Sequence, residues 1–567
     1  MNMKFRNKKK SVQAAVVFVC LLLLTVTSAV SRQAVEREHK HPEFWKAVTY
    51  FSDEWVMNFW NSEMDTVGED FQQILEDGFN SIIIAVPWRE FQPQTKQVEY
   101  NDYAFEKLTW LMEQADKYGL DVIVRVGYAY DFYRDQEDSQ IWQRYYAYFT
   151  DQQIQRAWAG YLEKLNGLLT KQKRYLGAFL TWEDWWGTVS YAQALGGKSE
   201  ESRQMAQQMG YQDYLVEKYP VSALKQIFQD ETITDREDLY IPSVSASAFT
   251  TFYDFYDELL IRLLADSQQV MPNLSMEVRS DQDLIYDEGG NEAYYSHKRT
   301  FDCQDSSFVS TVYGIPMGFE NRGEKVTASQ ALEKTAYMLQ SIHQETKRKD
   351  LFIDQFLFYD NTPKFRNNAQ LQTGEINIYL KQAAKLLYEQ TIGYGIWTYR
   401  DYHSNMIYNP QFALGTQGWT VAGDARLIND GSNKLELQKG SCLSQAVSGS
   451  RMHYPDEYVT VSFDVQLVNT SDAEITIQVG HSECNITLTK SERIVRKLKN
   501  TGDWNLSIAT DADICIDNVK LYTHTQEGLV YDSNGKQQEC LEGVRRMNAL
   551  IDQYQKAEKE QEAQVEP

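Results

Sequence analysis

Two acidic side chains stand where cleavage of a sugar bridge would need them. Glu183 follows the apolar run Leu176–Trp182, and Asp360 follows Phe352–Tyr359. Hydrolysis of a glycosidic bond requires one carboxyl that holds a proton for the leaving oxygen. It also requires a second that stays charged, to attack the sugar or to position water. A single carboxylate after a strand is more often a helix cap or a surface charge, so the weight falls on the pair and on the aromatic residues around it. Trp88, Trp182, Trp185, Trp186, Trp397, Tyr128 and Tyr130 all fall at or just beyond predicted strand ends, where flat faces stack on sugar rings. The Trp neighbours are expected to raise the pKa of Glu183 by desolvation, and Asp184 adds a like charge beside it. Arg89 and Arg125 would orient carboxylates or serve structural ion pairs. Glu277, in Ser275-Met276-Glu277-Val278-Arg279, is a second nucleophile candidate, although pairing with Arg279 or another barrel charge is the simpler reading.

The elements that must position these groups alternate. From Trp45 to Tyr408 short apolar runs take turns with amphipathic segments, the pattern of a parallel sheet covered by helices. Strands are predicted at Ala47–Phe51, Ser81–Val86, Asp121–Val126, Leu176–Trp182, Leu274–Val278, Phe308–Tyr313, Phe352–Tyr359 and Gly395–Tyr399. Between the second and third, Ala104, Leu108, Leu111, Ala115 and Tyr118 recur at helical spacing before Gly119. Eight such units fit a (β/α)8 TIM barrel spanning residues 45–408; an open six-stranded sheet is the alternative, and no Gly-rich dinucleotide or phosphate loop follows the first strands. Strands four and seven of a barrel lie opposite each other and would aim Glu183 and Asp360 at one bond. A long insertion, Thr188 to Pro242, is expected over the barrel mouth. Residues 409–523 change to short alternating strands with Gly and Asn turns, predicting a smaller all-β sandwich. Residues 524–567 are read as a closing helix, with Val544, Met547, Leu550 and Ile551 on one face, and a charged, disordered tail from Lys556 to Pro567.

Pro87-Trp88-Arg89-Glu90-Phe91-Gln92-Pro93, then Val98-Glu99-Tyr100 and Gly119-Leu120-Asp121-Val122-Ile123-Val124-Arg125, resemble the second and third units of clan A glycoside hydrolases, most of all the barrel β-galactosidase families. The resemblance covers about Trp45 to Tyr402. It implies a retaining (β/α)8 hydrolase with Glu183 as general acid/base and Asp360 as nucleophile. Tyr313 would hydrogen-bond the nucleophile and Trp397 would floor the sugar subsite, with Trp88, Arg125 and Trp182 completing the substrate-binding set. Two positions depart from the pattern: Trp182 stands where the family has Asn, and the nucleophile is Asp instead of Glu. A side chain one methylene shorter widens the carboxyl gap from about 5–5.5 Å toward the roughly 6.5–9.5 Å that admits water and favours inversion. Asn409-Pro410-Gln411-Phe412, Gly418-Trp419 and Ile514–Leu521 resemble a carbohydrate-binding module of the jelly-roll type. Trp419 or Trp504 would contact glycan there, and a plain spacer domain is the equal alternative.

Composition narrows the function classes. A chain of 567 residues has room for two to four domains. Lys and Arg total 56 against 80 Asp and Glu, a net charge of −24 that repels a phosphate backbone and excludes nucleic acid as the expected partner. An aromatic content of 13% marks a folded protein. The 8 His and 6 Cys form no CxxC or HExxH, so neither a metal nor another cofactor is expected, and no acidic cluster is dense enough to claim calcium. Lys4, Arg6, Lys8, Lys9 and Lys10 precede an uncharged run from Ser11 to Ser31, the pattern of an export signal over residues 1–31 that is either cleaved or kept as a membrane anchor. Cys20 lacks the small preceding residue of a lipidated Cys. Cys303, Cys442, Cys484, Cys515 and Cys540 then allow at most two internal disulfides. The sequence therefore leads to an exported hydrolase of β-linked poly- or oligosaccharide, secreted or anchored at the cell surface. A catalytically silent glycan-binding protein and an anchored scaffold of polysaccharide assembly remain as other readings.

Overall fold

The computed structural model describes residues 41–64, 67–129, 141–287, 289–290, 292–301, 306–314, 323–346, 350–358, 369–447, 457–526 and 530–565. Eight parallel strands close into a barrel: β1 (Trp45–Thr49), β2 (Ser81–Val86), β3 (Asp121–Val126), β4 (Tyr175–Leu180), β5 (Ser275–Tyr286), β6 (Val309–Gly314), β7 (Leu351–Leu357) and β8 (Gly393–Ile396). Each pairs with its neighbour in sequence; β8 pairs with β1 and β4 with β5, so no edge remains. The open-sheet alternative is thereby excluded. Strand period places Ala47, Ile83, Ile123, Phe179, Phe308 and Phe352 in one inward-facing apolar cluster, the plug of the lower barrel. Outward residues such as Ile82, Val122, Val124 and Ile353 pack against the helical shell.

Two departures from the alternating pattern matter for the mouth. The fifth strand runs well past Val278 to Tyr286 and doubles back through Glu292–His297 as an antiparallel hairpin. The insertion after β4 is helical: Trp182–Leu195 is followed by Glu200–Met209, Tyr211–Lys218 and Val221–Phe228, and the chain returns to β5 through Thr250–Gln268.

Beyond Tyr408, two five-stranded antiparallel sheets enclose a second core. Strand Ala473–Val479 shows the period directly, with Ala473, Ile475, Ile477 and Val479 buried and Glu474 and Gln478 exposed. Trp419 is buried in this core, tilted against Phe412 and donating its indole N–H to the Asn409 carbonyl, and Trp504 packs partly buried against the same core. Cys442, Cys484, Cys515 and Cys540 are free thiols, and Cys303 lies outside the described residues. The closing helix spans Leu541–Val565, so the tail expected to be disordered is helical through nearly its whole length. Among the described residues no helix is long and apolar enough to cross a membrane; the signal or anchor read at 1–31 lies outside them.

Candidate active site

Glu183 is the second residue of a helix, not the last of a strand. Thr181 caps that helix, its hydroxyl accepting from the Asp184 backbone N–H, and Glu183 and Asp184 fill the first turn, where the helix dipole favours negative charge. The two acids then part ways. Asp184 points into the barrel wall, buried, and accepts from Arg125 Nη2 at 2.8 Å and Nε at 3.0 Å, from the Thr181 hydroxyl at 2.7 Å and from the Ala129 N–H at 3.2 Å. Glu183 keeps 30% of its side chain accessible and accepts from Arg125 Nη2 at 3.1 Å. Burial would raise its pKa. The charges of Arg125 and Arg279, with the hydrogen bonds from Gln355 and Arg125, outweigh that and hold Glu183 below the usual carboxylate range. The rise expected from its Trp neighbours is thus reversed by guanidinium groups on β3 and β5.

Opposite, β7 carries a bulge. Thr311 is in register with Ile353 but Val312 with Gln355, so Asp354 is an extra residue. Phe352 faces the barrel interior and Ile353 the shell, which turns Asp354 inward, and Gln355 reaches across the mouth to donate to Glu183 at 3.1 Å. Side chains that follow β4 and project from β7 therefore meet across the mouth. Asp354 is 1% exposed, and burial together with the negative charges of Glu183 and Asp184 lifts its pKa to about 8 despite Arg125. Glu277 on β5 is fully buried and raised well above the carboxylate range by burial and by Asp354. Neither of its oxygens has a hydrogen-bond partner among the described residues, and the charge of Arg279 opposes the rise.

The sequence-predicted residues divide sharply. Arg125 is buried and holds Glu183 and Asp184, with its guanidinium 4.9 Å above the Tyr128 ring. Trp397 follows β8, partly exposed and stacked parallel to Tyr128 at 6.4 Å, where a ring face at the mouth was expected. Trp88 and Trp182 are a correction: both are fully buried. Trp88 is wedged among Trp158, Tyr145 and Tyr161, and Trp182 lies against His297 at 4.1 Å with the Arg279 guanidinium 5.6 Å from its ring centroid. These are packing positions, and Trp185 shares them. Tyr313 lies on β6, but its side chain, like Asp360 and Tyr130, lies outside the described residues. Sequence reasoning missed Asp354 and Gln355. The signal was present as two polar residues inside the apolar run Leu351–Leu357; the bulge that turns both toward the mouth has no mark in the sequence.

No family model and no curated protein matches the chain. Among solved structures, it is similar to a GH5_18 variant from Streptomyces cattleya in complex with Manβ1-4GlcNAc, at 15% identity and a TM-score of 0.40, covering 64% of this chain and 72% of that one. An exo-β-1,4-mannosidase from Opitutaceae bacterium strain TAV5 matches at 12% identity and 0.37, over 63% of this chain and 52% of the other. A smaller match, TmCBM61 in complex with β-1,4-galactotriose, covers 21% of this chain and 99% of that one at 18% identity and 0.17. At such identities and scores these likenesses carry no argument about chemistry.

Proposed function

We propose that this protein is an exported glycoside hydrolase cleaving a β-linked poly- or oligosaccharide, with Glu183 as general acid/base and Asp360 as nucleophile. The hydrogen bond between Glu183 and Gln355 carries this reading: side chains from the ends of β4 and β7 meet across one mouth, so a bond held there is within reach of both strand ends. Asp360 follows Gln355 by a few residues in the sequence. In the first step Glu183 gives its proton to the leaving oxygen as Asp360 attacks the anomeric carbon. In the second, Glu183 takes a proton from the water that releases the sugar. Glu183 is ionised at rest, the state of a base; bound sugar excludes water, strengthens desolvation and raises its proton affinity for the first step. Trp397 supports one face of the sugar, and Arg125 positions Glu183 without touching substrate.

The test is release of reducing ends from a panel of β-glycans, with aryl β-glycosides as reporters. Glu183→Gln and Asp360→Asn should each lower kcat/KM by about 10²–10⁴-fold. An undiminished rate in Glu183→Gln removes the assignment.

A second reading, a glycan-binding protein without turnover, draws on a specific observation. The β7 residue that meets Glu183 is an amide, and Gln355 can neither attack a sugar nor carry a proton for it. Calorimetry across the same glycans that finds tight binding and no cleavage would favour it.

A further inference from the structure

Among the described residues, four carboxyl groups at the barrel interior face the guanidiniums of Arg125 and Arg279. Glu183, Asp184, Glu277 and Asp354 all lie within the electrostatic reach of Arg125, and Glu183 and Glu277 also within that of Arg279. Arg125 spends its hydrogen bonds on Glu183, Asp184 and Thr181. Glu277 and Asp354 are left sealed below: they are 0% and 1% exposed, and none of their four oxygens has a hydrogen-bond partner among the described residues. The Ser310 hydroxyl, also fully buried, is unpartnered as well. The register brings the three together, since Glu277 is level with Ser310, and Ser310 with Phe352, two residues before Asp354 on the same inward face.

A carboxylate held without a donor in such a place is strongly disfavoured, and the mutual repulsion of Glu277 and Asp354 disfavours it further, so the pair keeps protons instead of charge.

We propose that Glu277 and Asp354 form a buried proton-holding site whose charge state is coupled to that of Glu183: while Glu183 is ionised the pair keeps its protons, and loss of the Glu183 charge makes them easier to remove. The site's use in catalysis rests on the hydrolase reading above. No bond to Glu183 is made or broken in this coupling; it acts through charge alone. Burial holds Asp354 near a pKa of about 8 and Glu277 well above the carboxylate range, in keeping with a loaded site at neutral pH.

Infrared difference spectroscopy on the full chain reads this without substrate. The wild type should show the C=O stretch of a buried protonated carboxyl at neutral pH, lost on alkaline titration, and Glu277→Gln and Asp354→Asn should each weaken it. In Glu183→Gln the loss should move to lower pH, because a negative charge that helps hold the protons is gone. Absence of the band at neutral pH overturns the proposal, as does its appearance only after treatment with a chelator, which would mean that a cation holds the pair. An unmoved titration in Glu183→Gln overturns the coupling. The wild-type and Glu183→Gln arms decide even where a core variant fails to fold. A shifted band in a protein that cleaves no glycan would leave the proton site standing and remove the hydrolase reading.

Discussion

At the scale of single residues, the site is governed by who donates to Glu183. Arg125 and Gln355 both donate to one of its oxygens, from opposite sides of the barrel. Charge-assisted bonds of this kind favour the ionised form. Gln355→Met removes one donor while keeping the volume, so the proton affinity of Glu183 should rise. If cleavage requires protonated Glu183, activity falls as pH rises through its pKa, and the variant's alkaline limb in kcat/KM should lie at higher pH than the wild type's. A pH–rate profile with an unmoved limb would mean that Gln355 does not tune the acid. Residue by residue, the sequence marked Glu183 and Arg125 because a charge at the end of an apolar run is conspicuous. It misplaced Trp88 and Trp182 because strand-end position does not reveal whether a ring faces the mouth or the wall. Here Tyr145, Trp158 and Tyr161 pack against Trp88, which is fully buried.

Among elements, the hairpin extension of β5 does what no local pattern announced. Its return strand delivers His297 between Asp257 on the helix Thr250–Gln268 and Asp283 on β5, at 2.8 and 2.9 Å. Those carboxylates also accept from Trp182 and Trp186, so the imidazolium ties the helix bearing Glu183 to the neighbouring strand. Burial alone would lower the pKa of His297. The two Asp partners outweigh it and raise it to about 9. A folded-state pKa above the unfolded value of about 6.5 stabilises the protein fully below that pH, and the contribution is lost as pH rises through about 9. Thermal unfolding from roughly pH 6 to 10 should therefore show Tm falling across this window in the wild type and a flatter profile in His297→Gln. Parallel profiles would place the alkaline loss elsewhere. The eight barrel strands themselves were legible, because buried parallel strands read as apolar runs such as Ser81–Val86 and Asp121–Val126. The hairpin was not, since Asp283 and His297 take their meaning only from Asp257, which a different element supplies.

Across the whole molecule, the chain leaves the barrel for the sandwich and then comes back. Lys520 of the sandwich pairs with Glu54 at 2.9 Å, the Asn409 N–H donates to Asn61 at 2.9 Å, and Asn58 donates to the Ile407 carbonyl, so the two cores are joined by buried polar contacts. The closing helix then lies on the barrel, with Val544, Met547 and Ile551 fully buried in the barrel's own core cluster. Its Arg545 grips Asp77 at 2.7 Å, and its Asn548 donates to the Asp77 carbonyl at 2.9 Å; Tyr399 and Tyr531 donate to the same carboxylate. The helix is thus a wall of the barrel contributed from the far end of the chain. The apolar face at Val544, Met547 and Ile551 was readable in the sequence, but its partner was not, because periodicity shows that a face is buried and not against what. Burial of each of these side chains is worth ~1.5–3 kcal/mol, against a total stability of about 5–15 kcal/mol for a typical domain. Truncation before Leu541 removes all three, uncovers the barrel face they pack against, and strips Asp77 of its guanidinium partner. The truncated protein should therefore lose barrel stability while the sandwich, whose core contains none of these residues, keeps its own unfolding transition. Calorimetric unfolding of the full chain and the truncated one would show this as a lowered or missing barrel transition beside an unmoved second one; an unchanged pair of transitions would mean that the helix merely rests on the surface.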